Sequence, residues 1–265
     1  MDKKKMKPYV TAVLLTVLYI AEIFWLSDIL GRNLGLAGTV LHEIVLALIG
    51  ITVFIVMRGK FKVIFPFKKP EFKKLAGTVV LWLGSYIGTM VITMIIAYFF
   101  PEEVMGASQD IQGIIMETSV WISIFVVAVT PAICEEIAFR GALLSCFRGI
   151  KNRWIGIVIV AAIFGVCHGS IWRLVPTMLL GIAMGYLLFE TENMIYPMLF
   201  HFINNAVPVI MIALLSSLIS FAGADGMMDT AMMMASTEIP PATVGVYIMY
   251  GGAAPLLVYV GNYLI

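Results

Sequence analysis

Apolar side chains gather along this chain in eight runs separated by polar connections, at Tyr9–Leu30, Leu36–Met57, Leu75–Phe100, Val120–Phe147, Trp154–His168, Trp172–Phe189, Ile195–Phe221 and Pro241–Ile265. Crossing about 30 Å of hydrocarbon takes about 20 helical residues. The runs therefore predict an all-α, polytopic membrane helix bundle of about eight transmembrane helices, with the fifth and sixth the shortest. No linker or fixed-period repeat divides the chain, so 1–265 reads as a single integral membrane domain, with its motif-bearing core at 119–221. The first run is long and no small-residue cleavage pattern follows it, so it is expected to remain as a helix.

Composition supports this pattern. The chain is 61% hydrophobic and only 12% charged, with a mean hydropathy of +1.00. Soluble domains carry about 25% charged residues, and a chain this apolar cannot stay solvated as a disordered one. The net charge of +1 offers no basic footprint for a nucleic acid. The expected partners that composition implies are membrane lipids. Three cysteines, Cys134, Cys146 and Cys167, are too few for a disulfide framework.

Basic residues alternate between connections. Lys3, Lys4, Lys5 and Lys7 precede the first run; Arg58 to Lys74 holds seven Lys and Arg; Arg148, Lys151 and Arg153 fill the fourth connection. The intervening connections carry Glu102, Glu103, Asp110, Asp225, Asp229 and Glu238 instead. The positive-inside rule then places both termini in the cytoplasm. Glu190–Asn193 is the exception, a connection expected inside that holds only acids. Two other segments have two readings each. Arg58–Lys74, with phenylalanines among its lysines, suits the headgroup layer or a solvated loop. Met227–Met234 has thioethers of the kind that hold Cu(I), and equally suits an apolar loop resting on the bilayer.

Polar groups inside the apolar runs carry the candidate chemistry, because a charge at bilayer depth costs at least ~2.5–3.5 kcal/mol. The fourth run contains Glu135, Glu136 and Arg140, the fifth ends at Phe164 to His168, and the seventh carries His201 and Asn205. Glu136 and Arg140 are four apart and can pair, whereas Glu135 is turned about 100° away and stays free. His201 and Asn205 project together by the same spacing. Glu135 lies fifteen residues before the turn near Ile150 and His168 eighteen after it. At ~1.5 Å per residue an antiparallel hairpin sets them within roughly 5 Å in height. A polar cavity opening toward the cytoplasm is the expected result. There Glu135 can take a proton from water, the imidazoles can orient that water or hold a divalent metal, and Asn205 can donate to an oxyanion. The set Glu135, His168, His201 and Asn205 matches Zn²⁺ only loosely. His42-Glu43 in the second run reads as an interhelical contact. A proton- or ion-coupled transporter and a non-catalytic scaffold or immunity protein are the alternative readings, each leaving the acids and histidines buried without hydrolysis.

The strings Glu135-Glu136-x-x-x-Arg140, Phe164-x-x-x-His168 and His201-x-x-x-Asn205, in this order, resemble the CAAX protease and bacteriocin-processing family of intramembrane endopeptidases, which includes the type II CAAX prenyl endopeptidases. Phe139-Arg140-Gly141, Gly169, Gly185-Tyr186, Asn193 and Pro197 add to the likeness, which runs over roughly Thr130–Ala206. The resemblance implies an eight-helix bundle that hydrolyses a peptide bond of a membrane-associated, CAAX-type substrate. It further implies Glu135 as activator of the water, and His168 and His201 as ligands of that water or a metal. Asn205 would stabilise the oxyanion, and Glu136 with Arg140 would hold the site's shape. The short lysine-led start has a prokaryotic look, which makes the plasma membrane the expected address.

Overall fold

The computed structural model describes residues 7–56, 60–107, 109–221 and 241–265. Over these residues the chain is helical and contains no strand. The helices are α1 (Pro8–Leu34), α2 (Leu36–Val56), α3 (Phe61–Ile64), α4 (Phe72–Phe99), α5 (Pro101–Gly106), α6 (Gln109–Glu117), α7 (Val120–Leu143), α8 (Arg153–Cys167), α9 (Ile171–Thr191), α10 (Ile195–Phe221), α11 (Pro241–Gly251) and α12 (Ala253–Leu264). Their outer faces carry exposed large apolar side chains, among them Val13, Ile55, Phe99, Trp121 and Leu218. Water would not tolerate so continuous an apolar surface, and a bilayer does. The chain is a multi-pass membrane protein.

All eight apolar runs are helical, yet six helices rather than eight are long and apolar enough to span: α1, α2, α4, α7, α9 and α10. α8 has 15 residues, about 22 Å of rise against about 30 Å of hydrocarbon. The last run is divided into α11 and α12 about Gly252. Lys3, Lys4, Lys5, Arg58, Asp225, Asp229, Glu238 and the methionine-rich Met227–Met234 lie outside the described residues.

Three connections meet at one end of the bundle. The Asn193 amide donates to Lys68 O at 2.9 Å and its oxygen accepts from Lys68 N at 3.3 Å. Lys68 pairs with Glu192 at 2.9 Å, Arg153 pairs with Glu190 at 2.6 Å, and Arg148 donates to Val63 O. The acids of Glu190–Asn193, anomalous in the charge pattern, are thus partners of the basic connections beside them. The 60–71 segment is neither wholly interfacial nor wholly solvated. Phe61 and Val63 are exposed, whereas Phe65 turns inward against Phe54, with ring centroids 5.6 Å apart, and fills the space over Gly141. At the opposite end Phe100 lies against Trp172, centroids 4.5 Å apart.

α7 is the axis of the molecule, with a larger buried share than any other spanning helix. It packs on α1, α2, α8 and α9 through a core that includes Tyr19, Leu46, Phe139, Leu143, Phe164 and Leu187. Its winding widens to π-helix at Ile124–Val129 and again at Glu136–Leu143, on either side of Thr130–Glu135. Such widened turns disturb the regular backbone bonding and recur at functional sites. Side chains supply partners there: Thr130 Oγ1 donates to Phe125 O at 2.9 Å and Tyr19 Oη to Ala138 O at 3.1 Å.

Candidate functional site

Glu136 opens the second π stretch of α7, and neither it nor Arg140 has measurable exposure. Arg140 Nη1 donates to Glu136 Oε1 at 2.8 Å, the i,i+4 pair expected from spacing. Its Nη2 donates to Gly181 O of α9 at 3.3 Å, and the guanidinium lies 4.2 Å over the Phe164 ring. Residue 181 has little room for a side chain. A Cβ on residue 181 would sit 3.1 Å from Ala161 and 3.3 Å from Arg140 Nη2. Buried charges are tolerated when paired and hydrogen-bonded in this way.

His201 joins the same carboxylate. Its Nδ1 donates to Glu136 Oε1 at 2.9 Å, and its Nε2 faces Glu135 Oε2 at 3.6 Å. A carboxylate on Nδ1 fixes that nitrogen as the protonated one and leaves the Nε2 lone pair toward Glu135. The spacing of 3.6 Å exceeds a direct hydrogen bond. His168 caps the C-terminus of α8. Its Nδ1 donates to Phe164 O at 2.8 Å, which frees its Nε2. The Phe164 ring meets both imidazoles edge to face, at 4.7 Å for His168 and 6.0 Å for His201. Gly169, with φ +70°, supplies the left-handed turn that follows.

Asn205 uses a carbonyl that proline released. Pro131 has no N–H, so the i−4 carbonyl of Val127 lacks its usual helical donor. Asn205 Nδ2 donates to Val127 O at 3.0 Å, while its own Oδ1 accepts from Asn204 at 3.2 Å. That leaves the second amide hydrogen of Asn205 for another acceptor.

A cavity of about 560 Å³ lies beside these groups, within the size range of small-ligand sites. Glu135, His168 and Asn205 line it; Glu136, Arg140 and His201 stand behind as a supporting layer. Its wall also includes Thr39, Gln112, Ile115 and Arg173, near the starts of α2 and α9 and within α6. The cavity therefore extends from mid-bundle toward the end opposite the basic connections. The helix-depth arithmetic set the heights of Glu135 and His168 but carried no information on which mouth is open.

Sequence reasoning passed over two features of this wall. His42-Glu43 does bridge helices: His42 Nδ1 lies 3.5 Å from Glu22 Oε1 of α1, and Nε2 3.7 Å from Glu43 Oε1. Yet His42 and Glu43 also face the cavity, with Glu22 buried behind them. Arg173 is the other feature. An acid inside an apolar run was the available signal for Glu22; Arg173 follows a turn, where an arginine draws no notice.

Glu135, His168 and His201 are the donors a divalent ion would use. Among the described residues no three His, Cys, Asp or Glu side chains are grouped to share an ion. The hydrogen bonds at His201 Nδ1 and His168 Nδ1 leave both Nε2 atoms as the ring nitrogens that would hold an ion beside Glu135. No step is routed through a metal below.

Residues 117–207 match the family described as type II CAAX prenyl endopeptidase Rce1-like. The six residues Glu135, Glu136, Arg140, His168, His201 and Asn205 all fall within the match. No curated protein and no solved structure matches the chain.

Proposed function

We propose that this protein is an intramembrane endopeptidase in which Glu135 activates water against a peptide carbonyl. The observation that carries this reading is Glu135 at the wall of the cavity with the His201 ring behind it, Oε2 and Nε2 3.6 Å apart. A water in the cavity beside Glu135 gives one proton to that carboxylate as its oxygen bonds to the carbonyl carbon. The carbonyl π pair moves onto oxygen, where the unused amide hydrogen of Asn205 meets the developing charge. His168 Nε2 holds the water or the substrate in place. When the intermediate collapses, the C–N bond breaks and the proton on Glu135 passes to the leaving nitrogen. Glu136, clamped by Arg140, keeps the His201 ring in the orientation that this geometry needs.

The match of residues 117–207 to a CAAX endopeptidase family supports a peptide substrate held at the membrane, and prenylated chains are one such class. The test is cleavage of a quenched fluorescent peptide by the purified protein in lipid vesicles. Wild type is expected to cleave it and Glu135→Gln to lose cleavage with an unchanged melting profile. Turnover that persists in Glu135→Gln overturns the mechanism. Turnover that collapses on chelation and returns with zinc overturns its metal-free form.

A further inference from the structure

We propose that Tyr19 is a positioning residue: its hydroxyl holds the widened turn of α7 between Glu136 and Arg140, and so sets the register in which these two groups and His201 meet. The inference rests on the hydrolytic reading above. Tyr19 belongs to α1, has no measurable exposure and does not line the cavity. Its Oη donates to Ala138 O at 3.1 Å. Ala138 stands two residues after Glu136 and two before Arg140, inside the π stretch Glu136–Leu143. The hydroxyl reaches that carbonyl past Gly50 of α2, where a Cβ would lie 2.7 Å from Tyr19 Oη and displace it.

A π turn closes on the fifth residue rather than the fourth and is seldom held without help. Relaxing it to regular winding would rotate the segment beyond it by about 100°. Arg140 lies in that segment. Its contacts with Gly181 O and the Phe164 ring need the observed rotation, and from that position its Nη1 clamps Glu136 Oε1. Glu136 in turn fixes the His201 ring through Nδ1. A carbonyl oxygen has two acceptor sites, so the Tyr19 hydroxyl bonds Ala138 O without displacing a backbone donor. At this depth no solvent stands ready to replace it. The Tyr19 ring is anchored separately: it packs on Phe139 with centroids 5.3 Å apart, and Phe139 packs on Phe164 at 5.1 Å. Tyr19→Phe therefore removes the hydrogen bond and keeps the packing.

The experiment compares wild type, Tyr19→Phe, Gly50→Ala and the double variant in lipid vesicles, by cleavage of the quenched fluorescent peptide and by magnetic resonance of isotope-labelled histidine. Charge-assisted bonds are short and strong, so the His201 Nδ1 proton is expected far downfield, assigned by its absence in His201→Gln. Tyr19→Phe is expected to move or broaden that resonance and to lower kcat about tenfold, the worth of one hydrogen bond, with KM within about twofold of wild type. Gly50→Ala should act alike by displacing the hydroxyl, and the double variant should lose little beyond either single change. An unchanged resonance in Tyr19→Phe overturns the proposal, even where the melting temperature falls, because Tyr19 is then a packing residue only. Where wild type cleaves the peptide, a kcat for Tyr19→Phe within about twofold of it also overturns the proposal, as do fully additive losses in the double variant. A resonance that moves in Tyr19→Phe, with no cleavage by wild type, would sink the hydrolytic reading and leave the positioning of His201 standing.

Discussion

Two clusters of the same make-up, a pair of glutamates about one histidine, border the cavity and are held very differently. In one, Glu136 Oε1 takes hydrogen bonds from both Arg140 and His201, at 2.8 and 2.9 Å, and only Glu135 is left free to face solvent or substrate. In the other, His42 lies 3.5 and 3.7 Å from Glu22 and Glu43, no arginine reaches either acid, and both oxygens of Glu22 lack a hydrogen-bond partner. Composition alone does not make a reaction centre. A buried carboxylate oxygen that takes two charge-assisted hydrogen bonds becomes a fixed strut, even though Glu136 Oε2 itself has no partner, and its rigidity positions the neighbour that reacts. The second cluster lacks that anchoring and serves as cavity wall.

Glu135→Gln probes this contrast at its largest, since removing a general base costs roughly 10⁴-fold in turnover. A stopped assay on folded protein is the measurement, and a loss below tenfold would erase the distinction between the clusters. Arg140→Met strips the strut of its cation and should destabilise the bundle by about 3–5 kcal/mol, read by unfolding in detergent. Pairing it with Glu136→Gln should restore part of that stability, because the stranded charge is then gone. Asn205→Ala should slow turnover about 10²-fold with little change in KM, as for loss of one oxyanion donor. Glu43→Gln belongs to the loose cluster and should cost less than about tenfold in rate and about 1 kcal/mol in stability. If its loss in rate rivals that of Glu135→Gln, the two clusters are equivalent and the comparison breaks.

The smallest effect lies at the basic end. The hydrogen bond from Lys68 holds the Glu192 carboxyl below the usual carboxylate range. A depressed carboxylate stabilises the fold above about pH 4.3 and loses that contribution as the pH falls through its lowered folded value. Both groups are exposed, so solvent screens the pair. Lys68→Met should therefore lower the unfolding midpoint slightly at pH 7 and match wild type at strongly acid pH. Cysteine labelling at Arg148 and at Gln112 sharpens the topology: the positive-inside rule expects the first to react from the cytoplasm and the second from the other side.

Several of these features were legible along the chain. Glu136 and Arg140 pair because four residues bring side chains together on a helix, and the contact survives the wider π winding. His201 and Asn205 likewise share one face of α10 by the same spacing, and Asn205 turns to the Val127 carbonyl that Pro131 releases. The partner of His201 was not legible. Spacing sets which residues share a face of one helix, whereas the rotation of α10 against α7 decides that Nδ1 meets Glu136 and Nε2 meets Glu135. The entry of Phe65 over Gly141 was equally hidden, since a loop phenylalanine carries no mark of the helix it will cover.

From the order of its residues alone the chain was bound to form apolar helices with Glu135, Glu136, Arg140, His168, His201 and Asn205 along them, because the membrane admits backbone only with its hydrogen bonds closed locally. Local rules go no further than one helix. The direction of the cavity, the arrival of Glu22, His42 and Arg173 at its wall, and the division of the glutamates into strut and free acid came from packing between helices. Packing depends on the shapes of distant side chains together, and no stretch of sequence contains that information by itself.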